Sequence, residues 1–326
     1  MVIIALIAGG RSGEFDISLK SGGAVSAALG RLGHEVRQFV ITQEGTATYE
    51  GQAMSLAEAF RELETGHIDC AFIAMHGEDG EDGRIQGALD LLGIPYQGCG
   101  VRASAIAIDK ALTKLHYRHA GLPVANDITL RHGDSADWDT IASTLGLPLV
   151  LKTAKSGSSV GIELVETLEN LSRTGAELLA STTSLVIEAW LPGREFTGAV
   201  LENPDGSLSA LPIVEICPTS ARFFDYEAKY TPGATDELCP APIPEEFADA
   251  LKQLALQAHR ALGCCHISRT DFKCDGDNQP FLLETNSLPG LTPMSLLPKA
   301  AEAHGLGFDG LIDALVQLAI RDQTPR

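Results

Sequence analysis

Hydrophobic and polar positions along the 326 residues change texture twice. Over the first hundred residues, short apolar runs alternate with stretches of helical period. VIIALIAGG ends in a Gly-Gly turn, SLKSGGAVSAALGRLG repeats apolar residues at helical spacing, and EVRQFVIT is strand-like again. SLAEAFRELETG, DCAFIAMHG, GRIQGALDLLG and IPYQG continue the alternation. Strands separated by helices predict a parallel α/β sheet, Rossmann-like in outline. Ligands of such sheets gather at the carboxyl ends of the strands, which here are GGRSGEFD and MHGEDGEDG.

From about residue 101 the pattern shifts. VRASAIAIDKALTKLHYRHAG reads as one helix ended by Gly121, followed by LPVANDITL and a helix near 137–145. LPLVLKTAKSGSSVGIELV reads as two strands around a small-residue loop, with a helix over 167–180 and the strand SLVIEAWL behind it. Beyond 194 the strands lengthen, with an amphipathic helix at 245–262, a hairpin over 266–285 and an apolar helix after 308. The class is α/β together with α+β. The length calls for two or three domains, and the texture divides them at 1–100, 101–193 and 194–326.

The hairpin carries the first chemistry. In FLLETNSLPG, residues two apart share a strand face, so Glu284 and Asn286 point one way and Thr285 the other. Taken alone this is either a pair of solvated polar residues or part of a hard-cation site. Closing the turn DGDN symmetrically is expected to set Asp271 opposite Glu284, converging with Asn286 beside Arg269. Two carboxylates and an amide that leave positions open suit Mg²⁺. A slip of one residue would reverse the faces.

Composition narrows the partners. Twenty-four basic against 43 acidic residues give a net charge of −19, and Lys and Arg form no cluster. That disfavours nucleic acid and anionic membrane surfaces, and an anionic ligand must be held by a few placed cations and by backbone N–H groups. No apolar run approaches membrane-spanning length, and MVIIALIAGG lacks a basic leader. Seven cysteines without a Cys-x-x-Cys pair form neither a disulfide framework nor a zinc site, so a reducing cytoplasm is expected. Neither a Walker A sequence nor G-x-G-x-x-G occurs. The loop KSGSSVG is ordinarily a hairpin connection, although its backbone and the Ser158 and Ser159 hydroxyls could also lie against phosphates. GEDGEDG lacks the EF-hand spacing and reads as a polar turn.

The ordered set GSSVG, EAWLPGREFT, FFDYEAKY, SRTDF and ETNSLPGLTPMSLLPKAA closely resembles the D-alanine–D-alanine ligases of the ATP-grasp superfamily. The resemblance extends over GGRSGEFDISL, HGEDGEDGRIQGALDLLGIPYQGCG and the IDK helix, and so over essentially the whole chain. It implies ATP-dependent joining of two D-alanines through an acyl phosphate, for peptidoglycan precursor synthesis. ATP would lie between the central and C-terminal β-rich lobes with Mg²⁺, for which Mn²⁺ can substitute. By resemblance, Lys110, Lys152 and Lys229 face the phosphates. Glu188 and the backbone at Trp190 and Leu191 form the adenine hinge, and Glu195 binds ribose. Asp271, Glu284 and Asn286 match the metal ligands.

Glu14 matches the group that holds the first alanine's ammonium, linked through Ser158 to Tyr230. Arg269 and the Gly290 N–H match the oxyanion-stabilising groups, and Ser295 with the Leu296 N–H match those for the second alanine's carboxylate. His76 contacts the first substrate or is structural. The long loop around Lys229 and Tyr230 is read as a lid. Thr153, Ala189 and Phe15 depart from the proline, lysine and basic residue usual in the family. A homodimer through the N-terminal domain is expected. Competing readings are a ligase that takes D-serine or D-lactate second, a non-catalytic ATP-binding relative, and a dinucleotide oxidoreductase that would lack its glycine fingerprint.

Overall fold

The structure is a computed structural model and describes residues 1–155, 161–218 and 235–322. Three sheets are laid out in chain order. The first runs β4 (Gln52–Met54), β3 (Ala47–Tyr49), β2 (Glu35–Ile41), β1 (Ile3–Gly9), β5 (Cys70–Ile73). β1 is parallel to both β2 and β5, as the alternation predicted. The β3–β4 hairpin is antiparallel and extends the β2 edge, a feature too short to show as a period in the sequence. α1 (Phe15–Arg31), α2 (Leu56–Thr65) and α3 (Arg84–Leu92) belong to this part. Ser55 and Glu58 form a capping box at the start of α2. The Ser18 hydroxyl accepts from the Gly9 N–H and donates to the Ala74 carbonyl, both at 2.7 Å. It thereby ties the carboxyl ends of β1 and β5 together, where the sequence placed a ligand.

The stretch expected as one helix up to Gly121 is two, α4 (Val101–Ala107) and α5 (Lys110–His119). Asp109 breaks it. Its carboxylate accepts from the Ala111 and Leu112 N–H groups at 3.1 and 3.2 Å, an N-cap that restarts the chain in a new direction. The second sheet is antiparallel and ordered β6 (Asp127–Arg131), β9 (Ser184–Ala189), β7 (Leu149–Thr153), β8 (Ile162–Val165). α6 (Trp138–Leu145) and α7 (Leu168–Ser181) bury Ile141, Leu171 and Leu179 against Leu149, Leu151 and Ile187.

The third sheet runs β13 (Thr235–Leu238), β12 (Val214–Pro218), β10 (Glu195–Glu202), β14 (Ile267–Cys274), β15 (Pro280–Asn286), with β11 (Leu208–Ala210) paired to β10. α8 (Glu245–Leu262) covers it, and α5 packs on both α8 and β15. α9 (Leu296–Ala303) leads into α10 (Phe308–Arg321), which packs back on α1 and β5 and joins the first and third sheets in one core. Among the described residues no single helix is long and apolar enough to cross a membrane.

Asp271 does pair with Glu284, but not by symmetric closure. The connection spans five residues, so Cys274 pairs with Pro280, and the register then shifts by one between Asp271 and Phe272. Leu283 is the extra residue. A bulge of this kind turns two successive side chains toward one side, and both Leu283 and Glu284 line the same cavity.

Candidate active site

Two lysines one helical turn apart on α5, Lys110 and Lys114, are both buried. The Lys110 N–H donates to the Ala154 carbonyl at 2.9 Å, which seats the start of α5 against the end of β7. Lys110 Nζ lies 3.2 Å from Glu284 Oε2. Lys114 Nζ lies 3.1 Å from Glu188 Oε1, 3.3 Å from Asp127 Oδ1 and 3.2 Å from the Ala125 carbonyl. Lys152, near the end of β7, donates to Glu188 Oε2 at 2.8 Å. Burial alone would raise the Glu188 pKa, but Lys152 and Lys114 together hold it down, to about 2. Burial pulls the Lys152 pKa down, yet Glu188, Glu284 and Glu195 more than offset it and the ammonium stays charged. For Lys114 desolvation wins and the pKa is lowered.

β14 supplies the floor. Its side chains alternate: Phe272 and Cys274 enter the core, while Arg269, Asp271 and Lys273 share the opposite face. Arg269 donates through Nε and Nη2 to the two Asp271 oxygens, each at 2.9 Å. Thr197, opposite Asp271 on β10, donates to Oδ1 at 2.6 Å, and Asn286 Nδ2 lies 3.3 Å from Oδ2. Glu195 stands opposite Lys273 in the same register, with Nζ 3.0 Å from Oε2. The segment after β9 is stitched over the end of β14 by a 2.9 Å bond from the Gly193 N–H to the Cys274 carbonyl. A Cβ on Gly193 would come within 2.5 Å of the Asp275 carbonyl oxygen, so only glycine permits this approach. The stitch brings the Trp190 ring to 5.6 Å from Lys273 Nζ.

Two cavities open on this floor. The first is lined by Lys110, Lys152, Glu188, Trp190, Leu191 and Glu195, which are all the predicted nucleotide residues within the described chain, and by Val150, Ile162, Leu164 and Leu283. The second, of about 310 Å³, is lined by Glu14, His76, Arg269, Gly290, Ser295 and Leu296, the predicted substrate residues. Lys110 and Glu284 line both, so the cavities meet there. Asp271 borders the first and Asn286 the second. Ser158, Lys229 and Tyr230, with the expected lid, lie outside the described residues.

On the N-terminal side Glu14 occupies the N-cap position of α1. Gly77 has φ +69°, and a Cβ there would come within 2.8 Å of Glu14 Oε2. His76 Nε2 lies 2.9 Å from Ser21 Oγ, and Nδ1 lies 3.5 Å from Glu81 Oε1. At the far wall a Cβ on Gly290 would meet Ser295 Oγ at 2.9 Å. The Thr292 N–H donates to that oxygen at 3.2 Å. α9 begins at Leu296, so the first N–H groups of a helix face the cavity, where an anion is favoured. The acidic turn at Glu78, Asp79 and Asp82 brings three carboxylates within 4.8 Å of one another. Arg11 takes both Asp79 oxygens at 2.6 and 2.7 Å and Arg84 contacts all three acids, so two arginines offset most of the turn's charge.

Sequence reasoning missed Lys114, Thr197, Lys273, Leu283 and Ser287. Ser287 Oγ is buried in the wall of the second cavity with no hydrogen-bond partner among the described residues. Of these only Lys273 left a signal, since it lies two residues from Asp271 and so on its face.

The comparisons with known proteins agree with one another. Residues 3–99 match the family model for the D-ala D-ala ligase N-terminus, and residues 117–317 that for its C-terminus. A D-alanine–D-alanine ligase of Desulfotalea psychrophila is 44% identical over 97% of this chain and 94% of its own length. One from Syntrophobacter fumaroxidans is 42% identical over 98% of both. Among solved structures, the D-alanine–D-alanine ligase of Bacillus anthracis complexed with ATP superposes with a TM-score of 0.81 at 29% identity, covering 99% of each chain.

Proposed function

The chain belongs to the D-alanine–D-alanine ligase family, with its ATP-grasp fold and its ATP- and Mg²⁺-dependent activity, and we propose that the two cavities are the nucleotide and amino-acid halves of one ligase site. The reaction joins two D-alanines in the synthesis of peptidoglycan precursors. A single observation carries the assignment: both cavities open on one face of β14 and meet at the Lys110–Glu284 pair.

In the first cavity Val150, Ile162, Leu164 and Leu283 flank the base, Trp190 and Leu191 border its edge, and Glu195 accepts from the ribose hydroxyls. Lys110 and Lys152 face the phosphates, with Lys229 expected to join them. Asp271, Glu284 and Asn286 offer only oxygen donors, from two strands in register, and would hold Mg²⁺ between nucleotide and substrate. When bound, the ion neutralises phosphoryl charge and orients the transferred group.

In the second cavity Glu14 faces the ammonium of the first D-alanine, and His76, fixed by Ser21 and Glu81, borders that subsite. A carboxylate oxygen of the first D-alanine attacks the γ-phosphorus and ADP leaves. The neutral amine of the second D-alanine then attacks the acyl carbon, the C–N bond forms, and phosphate leaves carrying the proton lost from nitrogen. Arg269, held by both oxygens of Asp271, and the Gly290 N–H face the developing oxyanion, preorganised before substrate arrives. Ser295 and the Leu296 N–H take the second carboxylate. Ser158 and Tyr230 are assigned to linking Glu14 with the loop over the site.

We read three domains at 1–100, 101–193 and 194–326, a division supported by three sheets whose strands each fall within one of these ranges. We read the protein as a homodimer through the N-terminal domain, supported by Leu19 on α1 and Leu91 on α3, which are exposed. Light scattering at micromolar protein should give twice the chain mass, and a monomeric mass defeats this reading. A cytoplasmic location is supported by cysteines that form no disulfide among the described residues.

The test of the function is phosphate release with D-alanine, D-serine, D-lactate or L-alanine as second substrate, each product identified by mass. D-Alanyl-D-alanine should dominate. A depsipeptide or D-alanyl-D-serine as major product moves the assignment to another second substrate, and ATP binding without turnover leaves a non-catalytic relative.

A further inference from the structure

Lys273 faces the first cavity, yet neither the phosphoryl chemistry nor the metal site uses it. Its side chain is only about one-tenth exposed, as is that of Glu195. A buried ammonium needs compensation. Lys273 finds it in two groups distant in the chain: Glu195 on β10 at 3.0 Å and, just after β9, the Trp190 ring at 5.6 Å, within cation–π range. The arrangement follows from register, because Glu195 and Lys273 are directly opposed across β10 and β14 and so must share a face. Lys273 lies one face-step, about 7 Å, beyond Asp271 along the strand. It sits on the side away from Arg269 and the amino-acid cavity, at the nucleoside end.

We infer that Lys273 is a positioning residue for the nucleoside. Its ammonium anchors one oxygen of Glu195 so that the carboxylate is aimed at the vicinal ribose hydroxyls, and its charge holds the Trp190 ring in place beside them. A carboxylate only accepts hydrogen bonds, and a 2′,3′-diol supplies two donors within reach of one carboxylate. Without the lysine, the buried carboxylate takes up a proton or turns toward water, and in either case its acceptor geometry is lost. The lysine therefore makes the site selective for ribonucleoside over deoxyribonucleoside triphosphates. The inference rests on the first cavity being the ATP site.

The experiment measures equilibrium binding of ATP, 2′-deoxy-ATP and 3′-deoxy-ATP with Mg²⁺, by calorimetry, and steady-state kinetics on the same proteins. The variants are Lys273→Met, Lys273→Arg and Glu195→Gln. Wild type should favour ATP over at least one deoxynucleotide by on the order of tenfold or more, the value of a hydrogen bond to a charged group. Lys273→Met should bring that ratio below about threefold and raise the KM for ATP by a similar factor. Its kcat at saturating ATP and its KM for D-alanine should be nearly unchanged. Lys273→Arg should keep the preference, and Glu195→Gln should lose it without further loss in the double variant. If Lys273→Met weakens all three nucleotides equally, the lysine supports the fold and the inference is wrong. If Lys273→Met does not fold, Lys273→Arg and Glu195→Gln decide: a preference that survives in Glu195→Gln overturns the proposal. Failure of wild type to bind ATP at all while other evidence of folding is normal removes the nucleotide reading itself, and this inference with it.

Discussion

Replacing Lys114 by methionine should unfold the second sheet at much lower denaturant while leaving every substrate contact in place. The side chain is 1% exposed, and its ammonium pairs with two buried carboxylates, Glu188 at 3.1 Å and Asp127 at 3.3 Å. At an effective dielectric of 20, one pair at that separation attracts by about 5 kcal/mol before desolvation is subtracted. Measured losses from breaking a buried pair run at about 3–5 kcal/mol. The lower figure is expected here, because Glu188 keeps Lys152 and Asp127 keeps Arg118. Methionine has nearly the same length, so little of the loss comes from a cavity. The chain's two tryptophans, Trp138 on α6 and Trp190 just after β9, both report on this sheet, and urea unfolding followed by their fluorescence is the assay. With a slope of about 2 kcal/mol/M, a loss of about 3 kcal/mol lowers the midpoint by about 1.5 M. The double variant with Glu188→Gln should not recover the loss, because the buried Lys152 then gives up its 2.8 Å partner. A midpoint shift below about 0.3 M would falsify the claim that Lys114 neutralises a buried acid.

Three further outcomes follow from the same geometry. The Glu188 carboxyl is held below its unfolded value of about 4.3, so its stabilising contribution is complete above that value and is lost as pH falls toward about 2; acid titration of stability should be flatter over this window in Glu188→Gln, and an identical profile refutes the assignment. Glu284→Gln should lower kcat by about a hundredfold or more with the fold retained, and full activity with ordinary magnesium dependence removes the metal site from consideration. Thr197→Val deletes the 2.6 Å bond to Asp271 Oδ1, and the magnesium concentration for half-maximal activity should rise about tenfold, about 1.5 kcal/mol for a bond to a charged group; an unchanged magnesium titration means Thr197 does not place that carboxylate.

What was legible in the chain was what lies within one element or one hairpin. Glu284 and Asn286 share a face because a strand has period two, and the Asp271–Glu284 pair could be proposed because 12 residues separate them. The reason given for that pair was nevertheless wrong: a five-residue connection and a bulge at Leu283 together produce the register that a symmetric turn was expected to give. The break at Asp109 went unseen because apolar residues continue at helical spacing on both sides of it. Lys114 and Lys273 went unremarked, because Glu188 and Glu195, which pair with them, come from elements far off in the chain. Glu195 lies 78 residues before Lys273, and only the pairing of β10 with β14 brings them together. Long-range register is where the residues alone stop being informative.

That register also explains how a chain of net charge −19 holds a polyanion. The cations at the site are not a surface patch. Lys110, Lys152 and Lys273 are buried and Arg269 nearly so, and each is already matched to an acid: Glu284, Glu188, Glu195 and Asp271 respectively. At Lys110 and Lys152 the entering nucleotide phosphates exchange partners with Glu284 and Glu188 and do not strip counterions from exposed lysines. Buried pairs are screened far less than surface charges at a Debye length of about 8–10 Å. What salt does screen is the repulsion between the acidic exterior and the approaching anion. The sign of the salt dependence is therefore opposite to that of a basic patch. Raising NaCl from about 20 to 300 mM, well within the range where surface electrostatics are screened, should leave ATP affinity unchanged or tighten it up to a few-fold, measured calorimetrically at fixed Mg²⁺. A tenfold weakening over that range would mean that exposed lysines hold the nucleotide, and the paired, buried Lys110 and Lys152 would lose the role assigned to them.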